Sequence, residues 1–195
     1  MRYYTGIGSR QTPDDMMAIL RRLAGVLAAT HTLRSGAADG ADTGFEQGAD
    51  AVDGPKDIYL AWKGFNGSTS PLFGVSAEAL AMAAKVHPAW DRLSEGPQKL
   101  HARNCNQVLG HDLATPAEFV ACWTPDGCES AKTRNSKTGG TATAIVLAER
   151  NGIPVFNLKN SASRNRLVAF LHAIGIEVAW LAADEVAEPM QVSLF

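Results

Sequence analysis

With 195 residues, 46% hydrophobic and 19% charged, the chain is long enough to bury one core, and one domain is expected. A net charge of -2 gives no global attraction to a polyanion, which disfavours extended nucleic-acid binding, although a local basic patch would be hidden in that sum. No apolar run approaches the ~18 residues of a membrane span and Met1-Arg2-Tyr3-Tyr4 lacks a signal-peptide core, so the expectation is a cytoplasmic protein that makes no membrane contact.

Residues 2–5 form a predicted short buried strand, left by the loop Gly6-Ile7-Gly8-Ser9-Arg10. Thr12-Pro13-Asp14-Asp15 supplies an N-cap, a proline for the first helical position and two acids for the first turn. The helix that follows is predicted to run to residue 30, with Met16, Ile19, Leu20, Leu23 and Leu27 on its apolar face. This is the opening of a Rossmann-like crossover, but the glycine spacing is not the dinucleotide fingerprint, so an ordinary NAD enzyme is not expected. Residues 32–35 make a second strand, ending in Ser35-Gly36-Ala37-Ala38-Asp39-Gly40-Ala41-Asp42 before a helix through about residue 51. Small residues and two acids in such a connection suit a close-approach site. Asp39 and Asp42 either bind ribose hydroxyls or move protons, or they cap the helix. A third strand spans 56–62, where Ile58, Leu60 and Trp62 alternate, and a turn-rich loop from Lys63 runs to Gly74. Trp62, Lys63 and Phe65 either frame a base and phosphate or form a hydrophobic lid.

A helix over 76–85 is capped by Ser76, and after a turn-rich stretch another is predicted from near Pro97 through Leu109. It carries Arg103 and Asn104, a fork donor and an amide suited to phosphate and to a base or ribose. His101 and Cys105 lie four apart on it, but without a second ligand pair the reading is ordinary helix packing, and neither a metal nor a cofactor is expected. The three cysteines, odd in number and without a Cys-x-x-Cys pair, make no disulfide framework. A strand over 118–123 leads into a polar loop whose Lys132, Arg134 and Lys137 bring local positive charge.

Thr138-Gly139-Gly140-Thr141-Ala142-Thr143 then opens a helix, followed by a strand over 153–158, a helix over 161–174 and a last strand over 177–181. Bare amides at a glycine-rich helix start favour phosphate. The alternation of strands and helices predicts an α/β fold, a parallel sheet with helices on both faces, with ligands beyond the carboxyl ends of the strands.

Taken together, Gly6-Ile7-Gly8-Ser9-Arg10, the Ser35 to Asp42 loop, Arg103-Asn104 and Gly139-Gly140-Thr141-Ala142-Thr143-Ala144 resemble the SLOG superfamily over most of residues 1–158. That group contains the Rossmann domain of DNA-processing protein A, the LOG phosphoribohydrolases and the YspA-like proteins, and the resemblance is closest to the YspA-like and phage-type members. It implies a Rossmann-like nucleotide-binding domain over 1–181, often dimeric, that hydrolyses nucleotide N-glycosidic bonds, binds nucleotide-derived signals, or binds single-stranded DNA. On this basis Ser35, Gly36, Asp39, Asp42, Gly139, Gly140 and Thr141 are ligand-site candidates beside Gly8, Ser9, Arg10, Arg103 and Asn104, and Trp62 and Thr138 join them from the reading of their own loops. The LOG motif has a catalytic glutamate where this chain has Val146, and valine transfers no proton, so Asp39, Asp42 or Glu46 would have to activate water. DNA-processing proteins carry a basic residue in the loop where this chain has Asp39, and an acid there repels a phosphate backbone.

The tail, 182–195, ends in Gln191-Val192-Ser193-Leu194-Phe195. It resembles the bacterial sliding-clamp binding pentapeptide, with Val192 for the usual leucine. That resemblance implies that the Gln191 amide makes polar contacts while Leu194 and Phe195 fill an apolar pocket; the alternative is a tail folded on its own core or on a second subunit.

Overall fold

Five short segments, β1 (Tyr3–Gly8), β2 (Thr32–Ser35), β3 (Lys56–Ile58), β4 (Phe119–Trp123) and β5 (Val155–Asn157), pair side by side in the computed structural model, which describes residues 1–182. Every pairing is parallel and the order is β3-β2-β1-β4-β5, a Rossmann-like α/β sheet. The connections are helical: α1 (Asp14–Leu27), α2 (Ala41–Asp50), α3 (Ala77–Val86), α4 (Glu95–Leu109), α5 (Thr141–Arg150) and α6 (Ser161–Ala173).

The two-residue period of the strands divides the core between the sheet's faces. On β4, Phe119, Ala121 and Trp123 join Tyr4, Leu20, Phe45 and Leu167 in one cluster, under α1, α2 and α6. Val120 and Cys122 point the other way and join Ile7, Ala83, Val108 and Ile145, under α3, α4 and α5. β4 is buried along its whole length, as expected for a central parallel strand covered on both sides. Phe119 stacks on Tyr4 with ring centroids 5.6 Å apart and meets Phe156 and Phe170 edge-on.

Helices α1 and α2 cross closely because Gly48 lacks a side chain; a Cβ there would lie 2.1 Å from the Arg21 carbonyl oxygen. Helix α3 is capped by Ser76, whose hydroxyl accepts from the Ala79 amide at 3.1 Å. All three cysteines, Cys105, Cys122 and Cys128, are free and buried. Burial pushes the Cys105 thiol up to about 12 and the Cys122 thiol well above its usual range.

Several boundaries differ from expectation. β1 does not end at residue 5: Gly6, Ile7 and Gly8 continue it, paired with Ala121, Cys122 and Trp123, and only Ser9 begins the loop. Pro13 sits at the N-cap of α1 rather than inside the helix, and the Thr12 hydroxyl donates to the Ser9 carbonyl at 2.7 Å. The helix itself ends at Leu27. α4 starts at Glu95 and takes Pro97 in its first turn, where a missing N–H breaks no helical bond. β3 pairs regularly only to Ile58; Leu60 rejoins the chain through a bridge to Phe73 that closes the intervening loop on itself.

The strand expected over 177–181 is instead a 3-10 turn, Ala179–Leu181, so the sheet has five strands among the described residues. Its apolar residues are spent on packing. Ile176, Val178 and Leu181 insert into the cluster under α1 and α6, and Trp180 lies under the Arg22 guanidinium at 4.0 Å. Among the described residues no helix is long and apolar enough to cross a membrane. Gln191, Leu194 and Phe195, the expected clamp-binding residues, lie outside the described residues.

Candidate functional site

β2 continues the sheet on one side of β1 and β4 continues it on the other, so the loops leaving β1 and β4 diverge and open a crevice at the carboxyl edge. α4 closes its base, and the result is a cleft of 790 Å³.

Its floor is a buried ion pair. Asp42, the second residue of α2, accepts the Gly8 amide on Oδ1 at 3.2 Å and faces Arg103 Nη1 on Oδ2 at 3.5 Å. Burial pushes the Asp42 carboxyl up to about 6, against the pull of the Arg103 charge and of the Gly8 and Ala38 amides. Burial also lowers the pKa of Arg103, countered by Asp42, and a guanidinium of such high intrinsic basicity keeps its proton. Arg103 Nη1 lies 3.5 Å from the Tyr59 carbonyl as well, its guanidinium stands over the Phe65 ring at 5.7 Å, and its Nε has no partner. The guanidinium occupies the space a side chain at position 36 would need, since a Cβ on Gly36 would fall 1.1 Å from Nη1.

The first wall is the end of β1. The Gly8 amide is committed to Asp42 and the Ser9 amide to the Trp123 carbonyl at 2.9 Å, so this wall offers side chains, Ser9 and the exposed Arg10. A Cβ on Gly8 would lie 2.4 Å from the Trp123 carbonyl oxygen, which explains glycine there by strand packing.

The second wall is the start of α5. Asn104 donates through Nδ2 to the Gly140 carbonyl at 2.9 Å and thereby ties α4 to this loop; its Oδ1 is buried without a partner. Thr138 is buried, accepts the Asn135 amide at 3.0 Å and donates to the Asp126 carboxylate. Burial works against the charge of Asp126, but hydrogen bonds from Thr138, Thr124 and the Cys128 amide outweigh it and hold the pKa below the usual carboxylate range. Gly139 adopts φ +61°, a left-handed conformation that favours glycine. Gly140 does not need glycine: its φ and ψ are -62° and -25°, and a Cβ there would meet nothing within 4 Å. Among the described residues the amides of Gly139, Gly140 and Thr141 donate to no acceptor, while those of Ala142 and Thr143 turn back to the Gly139 and Gly140 carbonyls. Lys137 is exposed at the same rim.

Of the residues expected at the site, Gly8, Ser9, Arg10, Asp42, Arg103, Asn104, Thr138, Gly139, Gly140 and Thr141 line this one cleft. Four others do not. Ser35 is fully buried and donates to the Gly6 carbonyl at 2.7 Å, bracing β2 against β1. Gly36 makes room for Arg103. Asp39 is exposed and accepts from Asn66 Nδ2 at 2.9 Å. Trp62 is 41% exposed and packs edge-on to Phe65, with centroids 5.0 Å apart, beside the cleft rather than in it. Neither Asp39 nor Asp42 caps α2 with its side chain. Glu46 is held away by Lys56, at 2.9 Å. The basic trio of the long loop divides: Lys137 reaches the cleft, Arg134 turns to the Val86 carbonyl at 2.9 Å, and Lys132 is exposed outside the cleft lining.

No family model, no curated protein and no solved structure matches this chain.

Sequence reasoning missed what braces the second wall, the Asp126–Thr138 bond; the turn residues Thr124-Pro125-Asp126-Gly127 were the only signal for it. It also gave His101 no role in the cleft, which that residue lines. The His101 Nδ1 lies 2.7 Å from the Thr143 hydroxyl, and burial, helped by His87 and Arg103, pulls its pKa down to about 4, leaving a neutral imidazole at pH 7. Cys105 does not join it as a ligand. Its sulfur faces the His101 carbonyl at 3.7 Å, and no metal-holding group of His, Cys, Asp and Glu occurs among the described residues.

Proposed function

We propose that the cleft binds a nucleotide-type ligand, with its phosphate on the amides of Gly139, Gly140 and Thr141 and with Ser9 and Arg10 closing over it. The observation that carries this reading is the second wall. Three adjacent amides at the positive end of a ten-residue helix lack acceptors, and Gly140 is bare of a side chain that its own backbone and surroundings would tolerate. Arg10 and Lys137 at the rim add positive charge in a chain that is acidic overall, while the charge of Arg103 below is balanced by Asp42 at pH 7. The resemblance of these loops to the SLOG superfamily supports the same ligand class.

Calorimetry of the full chain against AMP, ADP-ribose and a short single-stranded oligonucleotide tests it. Gly140→Ala should leave stability within about 0.5 kcal/mol, as at a site free of packing constraints, yet weaken nucleotide binding at least about tenfold by blocking approach to the amides. Binding to the oligonucleotide alone would overturn the proposal in favour of a DNA-processing accessory role.

Turnover by N-glycosidic hydrolysis is a second reading, favoured by Asp42. Of the two aspartates expected to activate water, Asp42 lines the cleft and Asp39 does not. A carboxyl near 6 is mostly ionised at pH 7 and sits close to the range a general base requires. Asp42 would take a proton from water as that water forms the C–O bond at the anomeric carbon and the N-glycosidic bond breaks. The departing nucleobase nitrogen would take up one proton through solvent, so that the carboxylate is regenerated when Asp42 releases its own. Incubation with nucleoside monophosphates and chromatography for free base tests this; no release from any common base leaves a non-catalytic sensor or sequestering protein.

The pentapeptide ending at Phe195 supports, from its sequence, tethering to a sliding clamp. Deleting Gln191 to Phe195 should abolish clamp association measured by surface plasmon resonance, and unchanged association would remove the tail from the account. A dimer, which the family resemblance implies, is tested by the mass in solution.

A further inference from the structure

The cleft does not end at the start of α5. A second chamber of 560 Å³ adjoins it and shares four wall residues, His101, Ser136, Gly139 and Gly140. Gly139 and Gly140 therefore form a ridge between the two spaces, and neither places a side chain on it. The far side holds His87, Pro88, Arg134 and Thr143. The His87 and His101 rings lie 4.5 Å apart between centroids, tilted by 59°.

We propose that this chamber is the second half of a bipartite site, and that the ligand is a nucleoside diphosphate bearing a sugar-like ring, its diphosphate crossing the Gly139–Gly140 ridge and the ring lodged against His87 and His101. The inference rests on the nucleotide reading of the cleft. Three features select a sugar over a second phosphate.

The chamber is far larger than a phosphate. It contains one cation, Arg134, part of whose guanidinium is already donated to the Val86 carbonyl. Its imidazoles are neutral: burial, then the charge of Arg134, keeps His87 below its usual range, as burial does His101. Each neutral imidazole keeps one free nitrogen to meet a hydroxyl: on His87 the Nδ1 accepts the Ala89 amide at 3.2 Å, which leaves Nε2–H to donate. With His101 Nδ1 engaged by Thr143, its Nε2 is the nitrogen left to face a guest. Asn104 lines the cleft side of this ridge and not the chamber, and its Oδ1, buried and unpaired beside the Gly140 carbonyl that its Nδ2 holds, is an independent sign that the cleft half of the junction is built for a ligand.

Calorimetry of the full chain with AMP, ADP and ADP-ribose tests the proposal. ADP-ribose should bind about tenfold more tightly than ADP. His87→Ala, which removes one wall, and Ala142→Phe, which fills the chamber from the side away from the cleft, should each bring that ratio to about one. Equal affinity of the wild-type protein for ADP and ADP-ribose overturns the second half-site while leaving the first intact, and so does a ratio that survives both substitutions. Failure of all three nucleotides to bind overturns both readings.

Discussion

Arg103 and Asp42 form a pair whose balance depends on pH. The fold disfavours ionised Asp42, so the stabilising contribution of this group is complete below its unfolded pKa near 4 and is lost as pH rises through about 6. The same titration should be visible in binding. As pH falls through 6 the carboxyl becomes neutral, the buried guanidinium is left uncompensated, and a ligand anion gains about tenfold in affinity, a modest share of the Coulomb energy of a close pair in a protein. ADP-ribose is the suitable probe because its diphosphate does not titrate in this range. Its affinity should rise between pH 7 and 5 in the wild-type protein and be flat in Asp42→Asn. Gly36→Ala acts on the same pair from the other side. The added methyl falls 1.1 Å from Nη1, so the guanidinium has to shift toward the cleft it lines and loosen its pairing with Asp42, and chemical denaturation should show a loss of about 1–3 kcal/mol.

Helices α1 and α2 are packed through their backbones rather than through interlocking side chains at Gly48. Gly48→Ala should therefore destabilise, against the usual gain from alanine in a helix, by about 1–3 kcal/mol, because the new methyl meets a carbonyl that cannot rotate away. A thermal midpoint that rose instead would mean that the helices can slide apart at little cost. The strands and helices were legible in the sequence wherever an apolar period and a terminator coincided, as for β2 and the Ser76 cap. Residues 177–181 carry the same alternation as a strand, but Ile176, Val178 and Leu181 found a core under two helices, which a pattern confined to one segment cannot foresee. Gly6 to Gly8 looked like a loop because glycine is common in loops; here it lets β1 run beside Trp123 and Phe45, which fill the space. The site follows the same rule. Small residues near position 36 announced a close approach without saying to what, and the guest proved to be the chain's own Arg103. Asp39 and Trp62 share the loops that shape the cleft, and only the three-dimensional path of those loops shows that their side chains lead elsewhere.

Taken whole, the molecule places neutral buried imidazoles where acid must charge them. His31, between Thr30 and Glu118, and His101, at the cleft, are both held below their usual range, first of all by burial. Their contribution to stability is complete above about 6.5 and is lost as pH falls toward their folded values, about 4 for His101, so Asp42 opposes them between 4 and 6. His101→Gln should flatten the acid limb of the stability profile by about 1–2 kcal/mol, allowing for partial exposure of the ring, as followed by urea denaturation at pH 7, 6 and 5. An unchanged acid limb would assign it to other groups. The three interior sulfurs have a practical consequence. With no thiol on the surface of the folded chain, a maleimide dye should label the native protein only as fast as the molecule opens. The labelling times of Cys122 in the sheet and Cys105 beneath the cleft would then act as two clocks, and a guest that slowed only the second would reveal which half of the protein it holds shut.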